Sequence, residues 1–451
     1  MTTSDQSQRV TTSDQSQRRS SIAHALLARS FLRSRLQPQT LRSRAALETF
    51  QARHVLAHLD WARARSRDLA KRFAGRPTSA WRSLAPTDKA AMMASWDDVV
   101  TVPVRRDEAM EIALRAERER DFSPTLRGYT VGLSSGTSGN RGLFVASPEE
   151  RAEWAGAAIA RVLPDWLPGL RAHRVAFFLR ANSNLYESVG SRRIAFRFFD
   201  LADDFSAHLT GLSAQRPTVL LAPPSMLRLL AEATLRGDLA LAPTVVVSVA
   251  EVLDPVDEGL IRRAFGRVVR QVYQATEGFL GSSCEYGTVH LAEDVAVFER
   301  ELVAGSAEGA FQPIVTDFRR RSQPIVRYRL DDVLVPRRSP CPCGRVTTAL
   351  DRIEGRADDL FLLGAARAPL FPDFVRRAVM LADARIDDYR VRQLAPDALT
   401  LWVAPDDAYP AAHGALVALC RARGATVSVT RGEAPLREPL RKLRRVERAF
   451  A

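Results

Sequence analysis

Short β-type runs alternate with helical stretches from residue 129 onward. RVAFFL at 174–179, TVLLAP at 218–223, TVVVSV at 244–249 and VVRQVY at 268–273 are all of strand length and rich in apolar or β-branched residues. Strands separated by helical stretches predict an α/β fold with a parallel sheet. Upstream, Leu41, Ala45, Leu47, Phe50, Val55, Leu59 and Trp61 fall near helical spacing, so residues 40 to about 120 are expected to be mainly helical. Beyond about residue 357 the pattern changes to a short compact unit. It reads strand 360–363, helix 371–383, strands 387–393 and 398–404, helix 409–422 and strand 425–430, a small α+β domain. At 451 residues the chain is too long for one compact core. The expected organisation is a disordered tail at 1–21, a large α/β domain with a helical N-terminal extension at 22–357, and a small C-terminal domain at 358–451.

The tail repeats itself, Thr2 to Arg9 recurring as Thr11 to Arg18 with only Val10 to bury between them, and it is expected to be disordered. Residues 22–36 are amphipathic, Arg-rich and acid-free, as transit peptides are, and read as a first surface helix. His54 and His58 lie four apart without a third ligand nearby, and read as a solvated helix face rather than a metal pair. No stretch approaches the roughly 18 apolar residues of a membrane span. The first 21 residues are too polar for a secretory signal, and four cysteines are too few for a disulfide framework in a chain this long, so a cytoplasmic protein is expected.

The net charge of +13 raises the question of nucleic acid, and its distribution argues against it. Residues 1–45 carry eight Arg and two Asp, and residues 431–451 carry seven basic and three acidic residues. The ends thus supply +6 and +4 of the total, leaving a nearly neutral body without the basic stripe of a nucleic-acid enzyme. Of the 65 basic residues only Lys71, Lys89 and Lys442 are lysine, so each lysine is informative.

The candidate chemistry begins at Leu133-Ser134-Ser135-Gly136-Thr137-Ser138-Gly139-Asn140-Arg141-Gly142. Glycines permit close backbone approach, and hydroxyls with successive amides can wrap a polyphosphate. No Gly-Lys-Ser/Thr ending is present, so this is not a Walker loop. It follows a strand at Tyr129-Thr130-Val131 and is expected to lead into a helix carrying Trp154. Tyr273-Gln274-Ala275-Thr276-Glu277-Gly278 directly follows a strand, placing an aromatic ring, a hydroxyl and a carboxylate together; such a set can stack a base and hold phosphate and magnesium. Asp332, in Arg327-Tyr328-Arg329-Leu330-Asp331-Asp332, suits ribose hydroxyls. Arg356, in Arg352-Ile353-Glu354-Gly355-Arg356, suits phosphate oxygens.

In this order the segments resemble the adenylate-forming superfamily of acyl- and aryl-CoA ligases, firefly luciferase and non-ribosomal adenylation domains. The nearest branch is similar to phenylacetate-CoA ligases and the synthetases that adenylylate the deazaflavin coenzyme. The resemblance runs from about 129 to the C-terminus. It implies that Ser134, Ser135, Gly136, Thr137, Ser138 and Gly139 hold the ATP phosphates, that Ala250 and Glu251 lie against adenine, and that Tyr273 stacks on it. Thr276 would touch the α-phosphate, Glu277 hold magnesium, Asp332 bind ribose and Arg356 phosphate. Asp358 would be the hinge of a mobile lid, and Lys442 the catalytic lysine that lid delivers. Three departures stand out: Asn140-Arg141-Gly142 replaces a lysine-containing end, Asp331 stands for the glycine of a Gly-Asp pair, and Arg441 replaces the glycine before the lysine.

The implied reaction is ATP-dependent adenylation of a carboxylic acid with pyrophosphate release, then transfer to CoA or a carrier-protein thiol. Two rivals remain: transfer of AMP to a hydroxyl of a cofactor-like molecule, and a silent binding protein that keeps the fold. The stretch Leu179 to Ser188 falls where relatives begin to shape the acid pocket, and its polar residues read equally as a solvated strand-to-helix loop. A homodimer is compatible with the sequence.

Cysteine placement adds a second constellation. Cys284 and His290, with Cys341 and Cys343 flanking Pro342, supply three thiolates and an imidazole, a closed tetrahedral set for structural zinc. Two unrelated buried thiols and a satisfied histidine are the alternative. Cys420, in an apolar helix, is expected in the core.

Overall fold

The structure of the chain is a computed structural model. It describes residues 22–37, 40–133, 142–163, 172–179, 194–303, 306, 308–356, 360–370, 372–435 and 444–450. The repeated tail at 1–21 and the boundary expected at 357/358 lie outside the described residues.

The predicted apolar runs become β3 (His173–Leu179), β5 (Val219–Ala222), β6 (Val245–Val249) and β7 (Val269–Ala275), joined at one edge by β4 (Ile194–Asp200). They form the parallel part of a seven-stranded sheet of order β4-β3-β5-β6-β7-β8-β9. Alternate side chains point to opposite faces of a strand, so a run apolar at every position needs cover on both sides. Both sides are covered. Ala176, Phe178, Leu220 and Val246 pack with Leu227, Leu230 and Ile261 of helices Pro224–Arg236 and Pro255–Phe265. Val175, Phe177, Leu221 and Val247 pack with Ile159 and Leu163 at the end of helix Pro148–Val162, and with Phe31 of the helix at 22–37. That first helix is therefore seated rather than merely superficial: a Cβ on Gly156 would run into the Leu27 carbonyl oxygen, so only glycine permits this approach.

The sheet is not wholly parallel. β8 (Gly278–Ser283) and β9 (Val289–Leu291) run antiparallel, because only Thr276 and Glu277 separate β7 from β8 and so short a link cannot make a parallel crossover. A second antiparallel sheet contains β10 (Ala296–Leu302), β11 (Phe311–Asp317), β12 (Ile325–Arg329), β13 (Asp332–Pro336) and β14 (Leu350–Arg356). A hairpin of β1 (Thr130–Leu133) and β2 (Leu143–Ala146) precedes helix Pro148–Val162, so a strand stands between the Ser/Gly-rich segment and the helix expected directly after it.

Helix Arg44–Arg63 carries His58 on its inner face. His58 is 7% exposed and stacks near Trp61, contrary to the solvated reading, because the helix packs Val55, Leu59 and Ala62 against Phe318 and Val326. His54 instead bonds the Phe50 carbonyl at 2.8 Å.

After β15 (Phe361–Leu363) and β16 (Ala368–Leu370), a four-stranded sheet of order β19-β18-β17-β20 packs with helices Pro372–Ala382 and Tyr409–Ala422. β17 (Asp388–Ala395) and β18 (Ala398–Ala404) form a hairpin; β19 (Ser428–Arg431) lies parallel to β18, three residues later than expected. β20 (Val446–Arg448) pairs parallel with β17 and has no clear sequence signal, being three residues in an Arg-rich stretch. Cys420 is fully buried in this core. Among the described residues no helix is long and apolar enough to cross a membrane.

Candidate active site

A cavity of about 670 Å³ opens at the carboxyl ends of the parallel strands, the end where open α/β sheets bind ligands. Ala250, Glu251, Tyr273, Thr276, Glu277 and Asp332 all line it, and Arg444 and Arg445 from near the C-terminus reach its wall.

At the end of β6 the chain turns sharply. Ala250 has φ +67°, in the left-handed region that costs a residue with a Cβ roughly 1 kcal/mol, and Glu251 N donates to the Val249 carbonyl at 2.8 Å. The Glu251 carboxylate accepts from Ser225 N, at the start of helix Pro224–Arg236, at 3.3 Å. The Ala250-Glu251 peptide is thereby held off the strand and facing the cavity.

The two-residue link after β7 is fixed from beneath. Gly278, at φ +155°, lies against Asp317: a Cβ there would approach Asp317 Oδ2 to 3.0 Å. Arg320 Nη1 donates to the Thr276 carbonyl at 2.9 Å, and Nη2 to Gln323 Oε1 at 2.9 Å. Asp317 takes the Arg319 and Arg320 amides at 2.6 and 3.1 Å; burial nevertheless pushes its carboxyl up to about 6.

Two tyrosines orient the two key carboxylates. Tyr328 Oη donates to Glu277 Oε1 at 2.8 Å, and Tyr273 Oη donates to Asp332 Oδ2 at 2.7 Å. Burial, then the neighbouring carboxylate, raises both phenols well above their ordinary value, so both remain donors. Asp332 opens β13 and pairs in register with Arg356 on β14, which sets the backbones of the proposed ribose and phosphate residues side by side. Tyr328 and Arg320 were not singled out in the sequence. Only the RYRLDD context of Tyr328 offered a signal; Arg320 is one arginine among 62.

The structure also gathers Cys284, His290, Cys341 and Cys343. Their ligand atoms all lie within 4.8 Å of one another. Cys284 Sγ is 3.7 Å from Cys341 Sγ, and Cys343 Sγ is 3.2 Å from His290 Nε2. Thr347 holds the other ring nitrogen, its hydroxyl at 3.2 Å and its carbonyl at 3.3 Å. Burial pushes the Cys343 thiol up to about 12 and the His290 imidazole down to about 4. Without a cation Cys343 and His290 prefer neutrality, and a divalent ion reverses that preference.

Ser134, Ser135, Gly136, Thr137, Ser138, Gly139, Arg180 to Ser188, Asp358 and Lys442 lie outside the described residues.

No protein-family model and no curated protein matches this sequence. Solved structures do. A 2-hydroxyisobutyryl-CoA ligase in the post-adenylation state, in complex with R3-HIB-AMP, superposes with a TM-score of 0.65 at 17% identity over 90% of each chain. The fold is that of the adenylate-forming enzymes. The same ligase in the thioesterification state, in complex with 2-HIB-AMP and CoA, gives 0.54 at 18% identity, covering 91% of this chain and 92% of that one. The GH3.15 acyl acid amido synthetase gives 0.55 at 13% identity, covering 84% and 83%. In this chain Arg444 and Arg445, from the C-terminal unit, line the same cavity as the residues at the strand ends.

Proposed function

We propose that the chain activates a carboxylic acid with ATP and passes the acyl group to CoA or a carrier-protein thiol, in the manner of phenylacetate-CoA ligases. The observation that carries this reading is the pair of tyrosine-held carboxylates, Glu277 and Asp332, facing one cavity at the strand ends. Tyr328 fixes one oxygen of Glu277 and Tyr273 one oxygen of Asp332, so both carboxylates are held in place at the cavity wall.

In the first step an oxygen of the acid attacks the α-phosphorus of ATP and the bond to pyrophosphate breaks. Ser134 to Gly139 would wrap the phosphates, Thr276 would donate to the α-phosphate, Ala250 and Glu251 would flank adenine beside Tyr273, and Asp332 would accept from ribose hydroxyls. Arg356 and Lys442 would offset the phosphate charge. Catalysis of this kind is mostly positioning and charge neutralisation. Glu277 fits magnesium as a carboxylate whose Oε1 is already fixed; the ion would neutralise charge developing on the phosphates. In the second step the thiol sulfur attacks the acyl carbonyl and AMP leaves. For this, residues 358–451 would turn about Asp358 as a lid over the 22–357 body.

The Cys284, His290, Cys341 and Cys343 set fits zinc. Four soft or borderline donors would hold the ion, and the Thr347 contact fixes the imidazole as outer-shell partners do. The ion's role there would be to tie the 341–343 loop to β8 and β9.

A pyrophosphate-release screen over aliphatic and aromatic acids, with and without CoA, tests the reading. An acid that drives release, and a thioester formed only with CoA, are expected. Release without thioester and with AMP on a hydroxyl would replace it with nucleotidyl transfer. No release with any acid would overturn it.

A further inference from the structure

Six buried ionisable side chains meet where the C-terminal unit docks on the body, and the reaction above uses none of them. The body supplies Asp254 and Asp257 at the start of helix Pro255–Phe265, and Arg228 on helix Pro224–Arg236. The C-terminal unit supplies Arg376, Asp388 and Arg445. None is more than 8% exposed, and Asp257 is fully buried.

Arg445 sits at the centre. Its Nη1 and Nη2 donate to Asp257 Oδ2 and Oδ1 at 2.6 and 2.9 Å, while its Nε donates to Asp388 Oδ1 at 2.7 Å. Arg228 Nη1 donates to Asp257 Oδ1 at 3.1 Å and to the Asp387 carbonyl at 3.0 Å. Alongside, Tyr389 Oη donates to Asp254 Oδ2 at 2.8 Å. Arg376 Nε pairs with the same oxygen at 3.0 Å, in an ion pair outside hydrogen-bond angles. Three guanidiniums face three buried carboxylates, and Arg228 Nε also donates to Glu232, at the edge of the network, at 2.8 Å, so every cation in it has its counter-charge.

Such a network is a poor way to fasten two domains permanently, since packed apolar side chains would hold at least as well without desolvating six charges. It is a good way to fasten them in one orientation and still release them. A bidentate Arg–carboxylate pair tolerates little rotation, and once water enters each charge is solvated. Arg445 also stands immediately before β20, whose Val446 pairs with Val391, and three residues after Lys442.

We propose that Arg445, clamped between Asp257 of the body and Asp388 of the lid, is a positioning residue that latches the lid for the adenylation half-reaction and lets go for acyl transfer. This rests on the adenylation reading above.

The test uses the full chain with Arg445→Met and Arg445→Lys. Lysine keeps the charge but, as a point charge, cannot span both carboxylates. Two readouts are taken: hydrogen exchange at residues 253–258 and 386–391, and the two half-reactions measured separately. The half-reactions are ATP–pyrophosphate exchange with the acid and consumption of a synthetic acyl-adenylate by CoA. Both variants should lose protection at the two docking segments but not in β5 and β6. Exchange should fall at least about tenfold as the competent lid population shrinks, while adenylate consumption holds or rises. Unchanged protection, or equal loss of both half-reactions, would overturn the latch. If Arg445→Met does not fold, Arg445→Lys decides by the same criteria. A parent that exchanges no acid at all would sink the adenylation reading, and hydrogen exchange would still decide whether Arg445 holds the lid.

Discussion

The Cys284–His290–Cys341–Cys343 cluster and the Asp257–Arg445–Asp388 network both bury polar groups between segments far apart in sequence, and they do so on opposite terms. The cluster has donors of one kind only: burial keeps Cys343 and His290 neutral, and the set becomes a strong fastening only with a cation from outside. It joins a loop to strands of the same body, where nothing has to move. The ion network brings its own counter-charges, needs no ligand, and lies across the docking face between two units. A metal-closed site suits a permanent join; a salt network that carries its own counter-charges suits a join that must be oriented and reversible. The number of buried polar groups does not separate these cases. Their charge balance and the segments they connect do.

The largest effect is expected at the cluster. Cys343→Ser should abolish one bound zinc per chain, measured by metal analysis of protein purified without a metal-affinity tag. A peptide that folds only on zinc gains about 10–16 kcal/mol from it; a site supported by a sheet should lose on the order of 5 kcal/mol. That corresponds to a fall in Tm of about 5–7 °C for a body of this size. Parent protein with full stability and no zinc would remove one side of the comparison.

Lys442→Arg should follow, with a loss of about 100- to 1,000-fold in ATP–pyrophosphate exchange and a much smaller change in adenylate consumption, by analogy with removing one preorganised donor. A compact ammonium on a flexible stem enters a space that a planar guanidinium does not. Parent-like exchange would leave Lys442 as a surface residue and detach the latch from the chemistry.

His58 is the control: buried, with neither metal nor carboxylate. Burial, then the charges of Arg321 and Arg319, push its imidazole down to about 4 from 6.5. A depressed folded-state value means that its contribution is present above about pH 6.5 and is lost as pH falls through about 4. By linkage that contribution is about 3 kcal/mol. Denaturant titrations at pH 7, 5.5 and 4 should show the parent losing roughly this much more than His58→Gln. Equal losses would mean that the folded protein already solvates this ring.

The same contrast marks what could be read in the chain. The cluster was legible because cysteine and histidine are scarce here, four and seven in 451 residues, so their spacing carries information. The latch was not. Aspartate and arginine are common in this sequence, and nothing local marks Asp257 or Arg445 among their neighbours. Largely apolar runs at 174–179, 218–223 and 244–249 determined three of the parallel strands, since a sheet covered on both faces buries such segments, while 268–273, interrupted by Arg270 and Gln271, gave the half-buried β7. The short Thr276-Glu277 link reversed the next strand, and β20 formed from three residues with no apolar pattern because the Val391 edge was there to receive them.

Periodicity and rare residues report what a segment needs locally: a buried face, a phosphate loop, a ligand set. Which carboxylate meets which guanidinium, and that Tyr273 and Tyr328 orient Asp332 and Glu277, depends on side chains 51 to 188 residues apart being brought within 3 Å. Those pairings have no local energy of their own until packing has excluded water from around them, so only the tertiary structure decided them.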